Sequence, residues 1–420
     1  MSTDFIDIPE GLIHPDRRGI VVDLKRRGGL SHLDMKSFSE SSVVLLEFQC
    51  DGASGHGSGF FLNIPDLQDF ELILTAGHNF IGPNGSETTN LKVSLTSGGQ
   101  LLPLSVHDFW VCKAFREERK DVHDHAAILV KRISKAGSAR GFGFSTKLGE
   151  KMDKYQNTHS GEVYVTGYRA QVPYTPTTSS GPFQYCFGDR HERMEYRVKT
   201  EQGISGSAVW FGYDGYPTAV AIHTNGPTRK GSGSRGCRLT PELLREVFKW
   251  IDRSTNSSAK LGRYQVKLRA QEGRAKPPPG TELPRLGLFM NFSDDFPFAR
   301  VRLGSGTVFD VLPAEAMASS EKLYYALAVG AKWVLFNPKK KEAVMSNNLQ
   351  DGCLFWISRQ KKKGLGLVFD RAVDGEEWQL KMSGEMISDI DEDDMESSEV
   401  TLVKYPADAK LPFVLFAFEP

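Results

Sequence analysis

Charge of one sign is the first thing this chain lacks. Its 52 Lys and Arg balance 52 Asp and Glu, leaving a formal net charge of zero at pH 7. No overall field draws it to nucleic acid or an anionic membrane, so neither is an expected partner. Long apolar runs are also missing. No uninterrupted hydrophobic segment approaches the ~20 residues that cross a bilayer. Met1 to Glu10 carries Asp4, Asp7 and Glu10 and has no basic stretch leading into an apolar one, which predicts no secretory leader. Cysteine is scarce. Cys50, Cys112, Cys186, Cys237 and Cys353 are odd in number and scattered, with no Cys-x-x-Cys or similar ligand spacing. They read as buried reduced thiols, which predicts a cytoplasmic (intracellular) protein with no metal and no cofactor.

What is present is turn-rich and aromatic. With 420 residues, 41 Gly, 26 Phe and few long helical patterns, the chain predicts two or three mostly β domains. Residues 1–41 are mixed and charged, with Arg17-Arg18 and Lys25-Arg26-Arg27 but little periodicity, and read as a loose N-terminal arm. From Ser42 to Arg253, short apolar runs alternate with turn residues: 43–48, 60–62, 71–76, 91–95, 126–130, 162–168, 195–199, 208–211 and 218–223. Strands of this length and number predict two small antiparallel barrels. Thr240-Pro241-Glu242 then supplies an N-cap, a first-turn proline and an early acid. Leu243, Leu244, Val247, Phe248 and Ile251 follow at helical spacing. Residues 254–283, ending in Lys276-Pro277-Pro278-Pro279-Gly280, read as a linker. Residues 284–420 form a separate β-rich module.

Three segments carry chemistry: Thr75-Ala76-Gly77-His78, Asp124-His125-Ala126-Ala127-Ile128 and Gly203-Ile204-Ser205-Gly206-Ser207. A serine nucleophile needs a base for its proton, a buried carboxylate to orient that base, and backbone donors for the oxyanion. His78 ends an apolar run and opens a turn, which carries an imidazole from a rigid strand to a cleft. Asp124 enters a run of small and branched residues where a carboxylate is buried and needs a partner. Asp121 is the rival acid, disfavoured because it stands further from the strand. Ser205 lies between glycines that permit a tight turn, so Gly203 and Ser205 are expected to supply the oxyanion-hole N–H groups. Ser207 has no such donor pattern before it. His before Asp before Ser is the order of the chymotrypsin-type double barrel, whereas α/β-hydrolases run Ser, acid, His. Gaps of about 46 and then about 81 residues allow one barrel to carry the first two groups and a second barrel the third.

The segment Thr200 to Val209 resembles the nucleophile motif of trypsin-like peptidases, and most of all that of the glutamyl-endopeptidase (V8-like) branch. There Gly-x-Ser-Gly-Ser replaces Gly-Asp-Ser-Gly-Gly. Thr75 to His78 is similar to the family's Thr-Ala-Ala-His, and Asp124 to Ile128 to its Asp-x-Ala-x-Ile. The resemblance spans Ser42 to Ile251, about half the chain. It implies two six-stranded antiparallel β-barrels with a C-terminal helix, an active site between them, and a polypeptide substrate cleaved through an acyl-enzyme. Two departures stand out. Ile204 occupies the position of the Asp that pairs with a new N-terminus in zymogen activation, which closes that route. Asn79 replaces the cysteine that follows the catalytic His, so the neighbouring disulfide cannot form.

The same resemblance implies a specificity pocket. Thr200 and His223 match the pair that contacts an acidic side chain, and Thr224 matches the hydroxyl that bonds the triad carboxylate. Asn225-Gly226 match the segment that pairs with the substrate backbone. Lys199 adds positive charge near the pocket base. The alternative reading of His223 is a structural imidazole, and of Lys199 a solvated side chain. The expected activity is cleavage after Glu, and less well after Asp.

In the last module, Trp333 to Phe336, Leu354 to Ile357 and Pro412 to Phe418 read as buried strands, and Leu323 to Val329 as a short helix. Lys339-Lys340-Lys341, Lys361-Lys362-Lys363 and the acidic run 389–399 read as solvated turns. A protein partner at this module fits either of two functions. The first is a serine endopeptidase with a recruiting or gating module; the second is a catalytically silent protease-fold peptide-binding protein. An intact triad favours the enzyme.

Overall fold

Short apolar strands punctuated by glycine and polar turns fold the first half of the chain into two Greek-key sheets. The computed structural model describes residues 31–65, 67, 69–132, 141–148, 161–188, 191–213, 215–227, 232–255, 265–271, 288–293, 296–303, 307–318, 320–337, 342–360, 364–369, 378–382, 398–404 and 415–419. Two units divide the chain. One is Met1–Ala259 with Glu315–Lys322, and the other is Lys260–Ala314 with Leu323–Pro420.

In the first unit, β1 (Val43–Cys50), β2 (Ala53–Leu62), β3 (Phe70–Thr75), β4 (Thr89–Ser97), β5 (Gln100–Pro103), β6 (Val106–Val111) and β7 (Ala126–Lys131) make one sheet. Its order is β5-β4-β1-β2-β3-β7-β6. The edge strands β5 and β6 are consecutive in the chain, joined only by Leu104 and Ser105, and two residues reach about 7 Å at most. The sheet therefore curls until its edges meet. Leu104 N–H donates to Val93 O at 2.8 Å, and Ser105 O accepts from Lys131 N–H at 3.0 Å. The core lies along β3 and β7, where Leu72 to Thr75 and Ala126 to Val130 are fully buried on both faces. Each such buried Leu, Ile or Val contributes about 1.5–3 kcal/mol.

Short β8 (Gly143–Ser145) leads to the second sheet: β9 (Glu162–Arg169), β10 (Val172–Phe187), β11 (Arg193–Tyr196), β12 (Ala208–Tyr213), β13 (Tyr216–Asn225) and β14 (Ser234–Arg238). Antiparallel pairing runs β9-β10-β11-β14-β13-β12 and back to β9, so the ring is closed. Both sheets place the last strand of the group beside the third, which is the chymotrypsin-like arrangement. The expected pair of six-stranded barrels is thus a closed six-stranded barrel and a curled sheet of seven strands. The extra member is β5, continued from β4 by a two-glycine turn at Gly98 and Gly99.

Among the described residues, three α-helices accompany these sheets: α1 (His32–Glu40), α2 (Lys113–Glu118) and α3 (Pro241–Thr255). The cap expected at Thr240 forms, with Leu243 N–H donating to Thr240 Oγ1 at 3.2 Å. Leu244, Val247, Phe248 and Ile251 are fully buried on α3. Helix α1 departs from the loose arm that the sequence suggests. Ser31 caps it, Met35 and Phe38 are buried, and Thr166 and Thr178 on the second barrel bond Ser39 and Glu40. Two apolar anchors in nine residues are too few to show as periodicity.

Residues Glu315–Lys322 return to the first unit. Glu315 and Ala316 pair antiparallel with Ser145 and Phe144. The Glu315 carboxylate sits 3.0 Å from Lys147 Nζ, and accepts from Ser145 Oγ at 2.8 Å. Both ends of that ion pair are buried, at 1% and 2% side-chain exposure. Asn63 Nδ2 donates to the carbonyls of Met317 and Ser320.

The second unit is antiparallel β. Strand Gln265–Gln271 falls inside the stretch that reads as linker, and pairs with Leu415–Glu419. Strand Phe296–Leu303 pairs with Glu342–Ser346, and thence through Lys332–Asn337, Tyr324–Val329, Phe355–Gln360, Gly364–Phe369, Trp378–Met382 and Ser398–Lys404 back to itself. Its core includes Ala314, Tyr324, Ala326, Cys353 and Leu354. Tyr324–Val329 is a strand where a helix is expected. A six-residue apolar run buried on both faces has no period to read, and its Tyr and Val favour the extended form. The two lysine triplets and acidic residues 389–397 lie outside the described residues.

Candidate active site

Strand β3 delivers His78. The buried strand ends at Thr75, and a single 3-10 turn, Gly77–Asn79, holds the imidazole one-third exposed at the strand's mouth. A second such turn, Asp121–His123, sets Asp124 at the head of β7, which pairs with β3. His78 Nδ1 lies 2.7 Å from Asp124 Oδ2, and the His78 backbone N–H donates to Asp124 Oδ1 at 2.9 Å. Both carboxylate oxygens are thereby engaged. Asp124 is buried, with 3% side-chain exposure. Asp121, the rival acid, is 57% exposed and faces Arg193 at 3.5 Å instead.

The electrostatics follow from this pairing. Burial disfavours the Asp124 carboxylate, but the His78 charge, its two hydrogen bonds and the Arg193 charge outweigh that and hold the acid below its ordinary range. Burial likewise opposes protonation of His78. The Asp124 charge and bond, with a smaller contribution from Asp121, win and raise the imidazole above its usual 6.5.

Ser205 arrives from a loop between β11 and β12, bracketed by Gly203 at φ +94 and Gly206 at φ +88. Both glycines are required. A Cβ on Gly203 would stand 2.6 Å from Ala170 N, and one on Gly206 would overlap Ser58 O and Thr75 Oγ1. The loop is fastened to both barrels. Ser58 N–H donates to Ser205 O at 2.7 Å, and Asn79 Nδ2 donates to the same oxygen at 3.1 Å. Ser58 Oγ donates to Gly203 O at 2.9 Å and accepts from Tyr168 N–H at 2.8 Å. Gly206 N–H donates to His223 O at 2.8 Å. The Ser205 backbone is thus held beside the residue that follows His78. Ser205 is partly exposed, whereas Ser207 Oγ is fully buried and unpartnered.

The expected pocket residues divide into two groups. Lys199 is exposed and, with Arg197, Pro227 and Gly233, lines a cleft of about 410 Å³. Thr200 Oγ1 lies 3.0 Å from Ser234 Oγ, which also lines that cleft, and exposed Gly226 approaches Thr200. His223 and Thr224 are buried deeper. Tyr196 OH lies 2.6 Å from His223 Nδ1. Burial, helped by the charges of His78 and Arg193, pushes His223 down to about 3, so its ring is neutral. Thr224 differs from expectation. Its hydroxyl donates to Asn225 Oδ1 at 2.8 Å and accepts from Arg193 Nη1 at 3.2 Å, in place of the expected bond to the acid. Asn225 is itself bonded by Arg193 Nη2 at 2.9 Å. A buried guanidinium therefore occupies the ground behind Asp124, and it fixes Thr224 and Asn225.

Sequence reasoning misses Ser58, Arg193 and Tyr196, since nothing local marks them. Asn79 is noticed only as the residue in place of a cysteine. An Arg and a Tyr at alternate ends of a four-residue strand look like ordinary surface residues until the fold buries them.

No protein-family model and no curated protein sequence matches this chain. Among solved structures, it is similar to a thermostable serine protease, AL20, from an extremophilic microorganism. That likeness has 11% identity and a TM-score of 0.39, and covers 52% of this chain and 99% of the other. The protease Anisep from Arthrobacter nicotinovorans has 12% identity and a TM-score of 0.39, over 53% of this chain and 99% of its own. A Glu endopeptidase in complex with MPD has 17% identity and a TM-score of 0.36, over 52% and 92%.

Proposed function

We propose that the chain is a serine endopeptidase, with Ser205 as nucleophile, His78 as general base and Asp124 as the orienting acid. The observation that carries this reading is the 2.7 Å contact between His78 Nδ1 and the buried Asp124 carboxylate, beside a loop that presents Ser205. With Nδ1–H donated to Asp124, Nε2 is left with its lone pair to take the Ser205 Oγ proton as Oγ attacks a peptide carbonyl. The Gly203 and Ser205 N–H groups receive the oxyanion, and the imidazolium then returns the proton to the leaving amine. Water repeats the sequence on the acyl-enzyme and releases Ser205.

The substrate reading is cleavage after Glu, and less well after Asp. A carboxylate entering a pocket loses hydration and needs donors or positive charge. Thr200 and His223 supply donors, and Lys199 supplies charge at the cleft. Because His223 is pushed down to about 3, its part is that of a neutral donor. Asn225 and Gly226 lie at the end of β13, where an added substrate strand would align. Work in a reducing cytoplasm fits five free cysteines. The second unit is proposed as the part that meets a protein partner.

A fluorophosphonate probe tests the central claim. It should label wild-type protein at Ser205 and leave Ser205→Ala unlabelled. Absence of label on folded wild-type protein would sink the enzyme reading and favour a silent peptide-binding scaffold.

A further inference from the structure

His125 follows the triad acid directly, yet its imidazole takes no part in the catalytic pair. It is buried, and so is Cys112, at the end of the β6 strand. Glu246 reaches the same point from helix α3. One ligand atom from each of Cys112, His125 and Glu246 lies within 4.8 Å of the other two. Glu246 lies far from the other two in sequence and only folding brings it to them, so no motif announces the group.

The hydrogen bonding around His125 frees one ring nitrogen. Cys237 Sγ donates to Val122 O at 3.3 Å and lies 4.0 Å from His125 Nδ1. A thiol that has given its hydrogen to a carbonyl can only accept from the ring. Nδ1 then carries the proton and Nε2 holds a lone pair. That lone pair faces Glu246 Oε2 at 3.2 Å. Two acceptors at this distance need a cation between them, either a proton or a metal ion.

We propose that Cys112, His125 and Glu246 form a binding site for a thiophilic divalent cation of the Zn²⁺ type, with a fourth position for water. Zinc bonds of about 2.0–2.1 Å to nitrogen and oxygen, at the tetrahedral angle, set those ligand atoms about 3.3 Å apart. The observed 3.2 Å separation already matches. Binding releases two protons to solvent, the Cys112 thiol proton and the one otherwise held between His125 and Glu246. One thiolate, one carboxylate and one dication then leave no net charge in a largely dry place. Mixed S, N and O donors select against Ca²⁺ and Mg²⁺, which want oxygen alone. Trp250 stacks on the His125 ring at 6.1 Å and walls one side, while the one-third-exposed Glu246 gives access. Cys237 acts as the outer partner that fixes the tautomer. The ion would fasten helix α3 to the loop that carries Asp124.

The test uses full-length protein and Co²⁺ as a spectroscopic probe. One Co²⁺ per chain should bind with a thiolate-to-cobalt charge-transfer band, and Zn²⁺ should displace it. Cys112→Ser should abolish the band, and Cys237→Ala should retain it. Glu246→Gln, at a partly exposed helical position, should weaken Zn²⁺ by at least about tenfold in calorimetry even if Cys112→Ser fails to fold. Binding without a thiolate band, no binding at all, or affinity unmoved by Glu246→Gln would overturn the proposal and leave a proton between His125 and Glu246.

Discussion

Asn79 Nδ2 donates to the carbonyl oxygen of Ser205 at 3.1 Å, and also to Thr75 Oγ1 at 2.9 Å. The residue after His78 therefore holds the backbone of Ser205, across the boundary between the two barrels. Replacing Asn79 with Ala would leave His78 and Asp124 in place and loosen only the Ser205 loop. We expect kcat to fall by about 10- to 100-fold, with the 1 Å scale of such misplacement, while KM changes little. Steady-state kinetics on a peptide substrate would reveal this. An equal loss in KM alone would mean that Asn79 acts on substrate binding.

The acid should be identifiable by substitution. Asp124→Asn presents an amide to Nδ1 and stabilises the wrong tautomer, so kcat should drop by about 10⁴-fold. Asp121→Asn removes an exposed carboxylate that faces Arg193 and should cost less than about tenfold. A reversal of that ranking would reassign the acid.

The pH profile has a definite sign. A base whose pKa is raised sheds its proton only above that value, so kcat/KM should climb with a midpoint above 6.5 as His78 deprotonates. His223, pushed down to about 3, should add no second step between pH 5 and pH 9. A preference for Glu over Gln at the cleaved position should accordingly stay constant across that range. A preference that disappears as pH rises through 6–7 would mean that an imidazolium, not a neutral ring, binds the substrate.

How much of this was legible beforehand depends on whether a feature is local. His78, Asp124 and Ser205 each sit in a short segment whose turn residues and flanking strand point to the role proposed for them. Gly203 and Gly206 are readable for the same reason. The strand pattern gave the two-barrel architecture, but β5, β6, β11 and β14 are short or half exposed and leave little periodicity. Thr224 shows the limit of resemblance. Its expected partner is Asp124, but a buried Arg193 stands there and takes the hydroxyl. Ser58 is likewise silent in sequence, being one more serine in a glycine-rich strand. Only the pairing of distant segments turns it into the latch on Gly203.

Stability offers a separate test. Removing one member of a buried ion pair strands the other, at a cost of about 3–5 kcal/mol. Glu315→Ala should therefore lower the melting temperature markedly, because Lys147 is 1% exposed. Lys147→Met combined with Glu315→Leu should recover most of the loss, as volume is kept and no charge is stranded. A neutral single variant in a thermal melt would count against the pair's importance.

That same pair bears on the order in which the molecule can be made. A chain emerging residue by residue from its site of synthesis completes the strands of both sheets and helix α3 by Thr255, yet the carboxylate that meets Lys147 at 3.0 Å belongs to Glu315, further along the chain. Until then Gly143 to Ser145 also lacks its antiparallel neighbour. The last residues of the first unit, Glu315–Lys322, are reached only after residues 260–314 of the second unit have been added. A product terminated before Glu315 would hold His78, Asp124 and Ser205 but lack the residues that pair with Phe144 and Ser145.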